Sequence, residues 1–227
     1  MVLIVKNIIL SADLILILYT SDGKECVIVS VFFYLVASWL HLFFHETGHF
    51  VGGCLTGYEL LYIKIHLFHI ERKRNGGYIF YLARCSGGQC VMTPNIQSNK
   101  DVPYILYNVG GIVFNFLLCV IGLFYLSINN RICSIFCMQL IFAGIIKIFV
   151  NVFPDNNKGL TDGYILKTLF RNRQAQFDYY KYLKLFSHYY LNEKFQLRDY
   201  MYSREMRHKN DNLIFYLEIK KMLQKKD

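Results

Sequence analysis

Charge is what this chain has least of. Asp, Glu, Lys and Arg make up 18% of its 227 residues, against 54% apolar residues. The apolar residues form long runs rather than the scattered pattern of a soluble globule, and this distribution fits a polytopic membrane protein. Acidic residues are scarcer than basic ones, 16 against 25, which leaves a net charge of +9. A nucleic-acid binder can carry such a charge. Here it lies beside apolar spans, as positive residues do in cytoplasmic loops, so no nucleic-acid partner is expected. No internal repeat is visible, which argues against a solenoid. The seven cysteines are odd in number, and Cys119, Cys133 and Cys137 lie in apolar runs. That excludes a simple disulfide framework and favours free buried thiols. Cys85 and Cys90 are not spaced as a usual zinc pair. The first residues lack a basic cluster and a small-x-small cleavage site, so a cleavable signal peptide fits poorly.

What remains is four apolar stretches, at about 1–19, 26–51, 105–127 and 132–153. Each is long enough to cross ~30 Å of hydrocarbon as a helix. Helix is the default there, because the backbone must satisfy its own polar groups. The first stretch is interrupted by Lys6 and Asp13 and is the weakest. Between the second and third, residues 58–70 and 77–83 are rich in β-branched and aromatic side chains. The segment between them holds Asn75-Gly76, so a β-hairpin near the membrane surface is expected. The expected fold is an α-helical polytopic membrane protein. It has about four transmembrane helices, a membrane-associated β-hairpin between spans two and three, and a helical cytoplasmic tail. The boundaries follow: 1–25 for a first span and short external loop, 26–166 for the core, 167–227 for the tail. In that basic, aromatic-rich tail, amphipathic helices are expected near 176–191 and 212–224.

The orientation can be read from Lys and Arg. Six lie in the loop 52–104 and fifteen from residue 154 onward, whereas the other two connections hold one each, Lys24 and Arg131. Positive-inside bias places the loop and the tail in the cytoplasm, in a multi-pass protein of the cell membrane.

The second span ends in His45-Glu46-Thr47-Gly48-His49. Residues four apart share a helix face, so both imidazoles can ligate one metal ion while Glu46 sits beside its water. Ionisable groups at such a position are costly without a function. Zinc needs a third protein ligand and one open position. Where the fourth span ends, the chain reads Asn151-Val152-Phe153-Pro154-Asp155 and then, after a break, Thr161-Asp162-Gly163. Proline and glycine break the helix there and present carboxylates at the same membrane edge as the histidines.

With these residues in view, the chain resembles the site-2 protease family of intramembrane zinc metallopeptidases. That family carries HExxH on a helix and a later Asn-x-x-Pro followed by Asp-Gly. The resemblance implies that Asp162 is the third zinc ligand and Glu46 the catalytic base. It implies a core of spans two to four, with the hairpin holding an extended peptide. It places Asn115, which follows Gly110-Gly111, and Asn151 near the substrate carbonyl or its oxyanion. For Asn115, hydrogen bonding between spans is the competing role. The spacing from Pro154 to Asp162 is longer than the family's, and Asp155 is a rival ligand. His41, one turn before His45, reads as a packing or supporting residue rather than a ligand.

The expected activity is zinc metalloendopeptidase cleavage of a membrane-spanning or membrane-associated peptide at the cytoplasmic face of the lipid bilayer, with Glu46 activating a zinc-bound water. The competing reading is a non-proteolytic peptide-binding or regulatory protein on the same zinc core. A peptidase with a glutamate ligand on a later helix is disfavoured, because the tail has no Glu-x-x-x-Asp pattern. Reporter fusions test the orientation: a fusion after Phe153 should report cytoplasm and one after Ser127 the opposite side. A cytoplasmic signal at Ser127 reverses the assignment.

Overall fold

The structure, a computed structural model, describes residues 24–85, 87–95, 103–127, 130–153, 161–170 and 172–191. Among these described residues five helices and four strands follow one another. They are α1 (Lys24–Leu55), β1 (Tyr58–Ile65), β2 (Phe68–Arg72), β3 (Tyr78–Leu82), β4 (Gly88–Pro94), α2 (Tyr104–Leu126), α3 (Arg131–Val152), α4 (Asp162–Leu169) and α5 (Arg173–Tyr190).

Three of these helices are long and apolar enough to cross a membrane: residues Val27–Leu55 of α1, then α2 and α3. At 1.5 Å per residue the 22 residues of α3 span roughly 33 Å. Their polarity is inverted relative to a soluble bundle. Outward positions hold Phe32, Leu35, Phe116 and Phe124, all more than half exposed, while His41, Asn108, Asn115 and Gln139 are buried. Large apolar groups outside and polar groups inside suggest membrane association. The expected first span at 1–19 lies outside the described residues, as does the expected helix at 212–224; the helix expected near 176–191 falls within α5.

The helices pack where side chains are smallest. Gly48 of α1 lies against the backbone carbonyl of Gly110 in α2, and Gly110 against that of Gly48. A Cβ on either would overlap backbone, which cannot move aside as a side chain can. One turn on, Gly52 meets the Leu106 carbonyl in the same way. On its other side α1 packs on α3 through Ala37, Leu140 and Ala143.

The segment between α1 and α2 is more elaborate than the single hairpin expected. It is a four-stranded antiparallel sheet in the order β3-β2-β1-β4. The Asn75-Gly76 hairpin is present, joining β2 to β3 with Gly76 at φ 86°. The stretch 58–70, expected as one strand, breaks at His66, which turns with φ 50° so that β1 and β2 pair. Strand β4 had no counterpart in the sequence reading. It pairs with β1 from Tyr58↔Pro94 to Ile65↔Gly88. Lys64 and Glu71 form an ion pair at 2.9 Å, and Arg72 pairs with Glu59.

Helix α5 ties the sheet to the long apolar helices. Tyr179 and Leu183 join Tyr58, Met92 and Tyr107 in one core. Farther along, Phe186, Tyr190 and Leu191 pack on Tyr62 and Val91 of the sheet. Near its start Tyr179 donates to Asn108 of α2 at 3.1 Å. The close packing of α1 on α2 makes a specific demand: Gly48→Ala should lower stability by about 1–3 kcal/mol. The exposed neighbour substitution Cys54→Ala should leave it unchanged. Thermal unfolding in detergent checks both, and a Gly48→Ala chain that melts with the unsubstituted one refutes the packing account.

Candidate metal centre

His45 and His49 stand one helical turn apart on the buried face of α1, and their Nε2 atoms are 3.1 Å apart. Their ring planes cross at 90°. The third group arrives from a different element. Thr161 caps α4 by accepting from the Tyr164 amide, which fixes the first turn of that helix and places Asp162 at its start. Gly163 lets α4 press against the backbone carbonyls of Asn151 and Val152 at the end of α3, where a Cβ would collide. Asp162 Oδ2 thereby lies 3.2 Å from His45 Nε2 and 3.4 Å from His49 Nε2. Gly111 of α2 completes the fit, because a Cβ there would fall within 2.6 Å of both imidazole rings.

These distances carry a chemical meaning. Bonds of ~2.0–2.1 Å in a tetrahedral shell separate neighbouring ligand atoms by roughly 3.3 Å. The three observed separations bracket that value. Asp162 Oδ2 is buried with no hydrogen-bond partner meeting ordinary geometry. His49 Nδ1 lies 2.7 Å from the Tyr107 carbonyl and His45 Nδ1 lies 3.2 Å from Asn115 Nδ2, so both rings are held from behind. The buried group His45, His49 and Asp162 can therefore hold a metal ion. Among the described residues it is the one such group of His, Cys, Asp or Glu side chains. Burial pushes the Asp162 carboxyl up, but the two imidazoles beside it outweigh that effect and hold the group well below the usual carboxylate range.

The centre opens into a cleft of about 710 Å³. Glu46 lines it beside the histidines, and the backbone of Cys90 in β4 hydrogen-bonds to the Glu46 carboxylate. Asn151 lines it beside Asp162. Asn115 does not: it is fully buried, with its amide between His41 Nδ1 at 3.0 Å and His45 Nδ1 at 3.2 Å. Its geometry matches the interhelical role rather than contact with a substrate. Asp155 lies outside the described residues.

Several lining groups were invisible in the sequence. Gly88 to Val91 of β4 form one wall, and Tyr179, Tyr182, Leu183 and Phe186 of α5 form the other. The α5 residues fall at i, i+3, i+4 and i+7, the spacing of one helix face. That periodicity was readable; what it faces was not. Tyr107 donates its hydroxyl to the Cys90 carbonyl at 2.9 Å and so joins α2 to β4 at the rim.

Comparison with family models, curated proteins and solved structures finds no match. The chemistry must be read from the residues themselves. If Asp162 supplies the third donor, Asp162→Ala should strip bound divalent metal from the purified chain while Asp155→Ala retains it. Metal content by atomic emission decides, and the opposite pair of results moves the ligand to Asp155.

Proposed function

We propose that the chain is a zinc-dependent intramembrane peptidase of the site-2 protease type. The observation that carries the reading is the meeting of His45 and His49 with Asp162 in a cleft also lined by Glu46. Zinc suits two imidazoles and one carboxylate with a position left open. Bound there, the ion would supply Lewis acidity, lowering the pKa of a water toward ~7 and polarising a carbonyl.

The rest is work for the chain. Glu46 takes a proton from the attacking water and passes it to the departing amine. Its carboxylate is held ready by the Cys90 backbone. Asn151 offers an amide to a carbonyl oxygen beside Asp162. A peptide can reach such a centre only when extended, because helical hydrogen bonds and packing shield its carbonyls. β4 is an edge strand of the sheet and lines the cleft. An unwound segment laid along it gains main-chain hydrogen bonds that offset the lost helix. The substrate is a membrane-spanning or membrane-associated peptide, cut at the cytoplasmic side to which positive-inside bias assigns the sheet and α5.

The test separates a peptidase from a protein that only binds peptides. Glu46→Gln should keep the metal and lower turnover by about 10²–10⁴-fold. Membrane peptides that accumulate with this variant, and vanish with the unsubstituted chain, are the substrates. A Glu46→Gln chain with full function in its native membrane points instead to a binding protein.

A further inference from the structure

The two ends of a primary amide are alike in shape and opposite in role: oxygen accepts and nitrogen donates. Around the metal centre the neighbours fix which end must go where. His49 Nδ1 lies 2.7 Å from the carbonyl of Tyr107. A carbonyl only accepts, so Nδ1 carries a proton, and in the neutral ring Nε2 presents a lone pair. His41 Nε2 lies 2.8 Å from the carbonyl of Leu140 and must likewise donate. A neutral His41 then has only an acceptor left, at Nδ1.

Asn115 bridges His41 and His45, and its amide has two settings. In one, seen in the structure, Oδ1 faces His41 Nδ1 at 3.0 Å and Nδ2 faces His45 Nδ1 at 3.2 Å. His41 must then donate from both nitrogens and become a cation, although it is completely buried between the spans. His45 Nδ1 must accept, so its proton sits on Nε2. That proton points at His49 Nε2 and Asp162 Oδ2, at 3.1 and 3.2 Å. This setting places a proton among the three atoms, and its His45 cannot ligate a metal through Nε2.

In the other setting the amide is reversed. Nδ2 donates to a neutral His41, and Oδ1 accepts from His45 Nδ1. Lone pairs of His45 Nε2, His49 Nε2 and Asp162 Oδ2 then converge with no proton among them. Only a cation relieves that arrangement.

We propose that the Asn115 amide is the positioning switch of the metal centre and that His41 sets it. Oxygen toward His45 is the metal-holding setting, and nitrogen toward His45 is the metal-free one. The proposal rests on the metal reading of the cleft and adds two residues to it. Neither touches the ion; both act through His45.

Zinc affinity of the full chain in detergent, measured by competition with a chromophoric chelator, tests this without reference to activity. Asn115→Leu should weaken zinc binding by roughly 10- to 100-fold. Asn115→Asp should keep it close to the unsubstituted value, because a carboxylate accepts whichever way it turns. His41→Phe should weaken binding when Asn115 is present but not in the Asn115→Asp background. Metal-free thermal unfolding shows which variants fold, and if the double variant does not, the Asp and Leu comparison decides alone. Unchanged affinity in Asn115→Leu overturns the proposal. So does an Asn115→Asp chain as weak as Asn115→Leu, or an equal loss from His41→Phe in both backgrounds. Zinc binding that survives Asp162→Ala, or is absent from the unsubstituted chain, overturns the metal reading itself, a distinguishable result.

Discussion

Three potential ligand atoms from two distant parts of the chain meet within 3.4 Å of one another. Such convergence is unfavourable unless something positive is shared among them, and much of the surrounding packing serves to enforce it. Gly48 and Gly110 let α1 and α2 touch backbone to backbone, Gly111 leaves room for the two rings, and Gly163 lets α4 reach the end of α3. A methyl group at any of these places would push a donor out of position. The small residues are thus part of the site's geometry although none of them can coordinate.

Polar side chains within the three long apolar helices show the same economy. His41, Asn115 and His45 form a continuous hydrogen-bonded line through the packed interior. Groups of this kind are expensive in an apolar surrounding, and for these three the cost is offset by their hydrogen bonds to one another and to the Leu140 carbonyl. The apolar outer faces of α1 to α3 need no such partners, and a lipid surrounding would accept them as they are. The cleft lies at the end of these helices, with β4 as one wall and α5 as the other.

The parts legible in the sequence were those governed by local periodicity. Runs of apolar residues marked α1, α2 and α3 to within a few residues at most ends, and a four-residue spacing put His45 and His49 together. Asp162 was singled out because proline and glycine break the chain beyond the fourth apolar stretch and because Asp162-Gly163 resembles the Asp-Gly of the site-2 protease pattern, with Asp155 as its rival. Long-range pairing was not legible. Residues 88–94 contain glycine, glutamine and proline and do not advertise a strand; β1 makes them one by pairing along its length. The turn at His66 was hidden in a run of β-branched and aromatic residues, whose propensity favours a single strand. Asn115 and His41 were each noticed alone, but nothing in a linear sequence says that α1 and α2 bring them within 3.0 Å. The aromatic face of α5 was visible as a face, and its target required the fold.

Asp162 belongs to neither His-bearing α1 nor any span; it opens the short helix α4, which leads directly into α5. A cation held by all three donors would therefore act as a clasp between the bundle and its C-terminal helices. Occupancy and order become linked quantities: each ion bound closes a long chain loop, and chelation returns that loop's entropy. The wall of the cleft formed by α5 would then be firmest when the centre is loaded, so that the assembly of the groove and the filling of its centre are a single thermodynamic event.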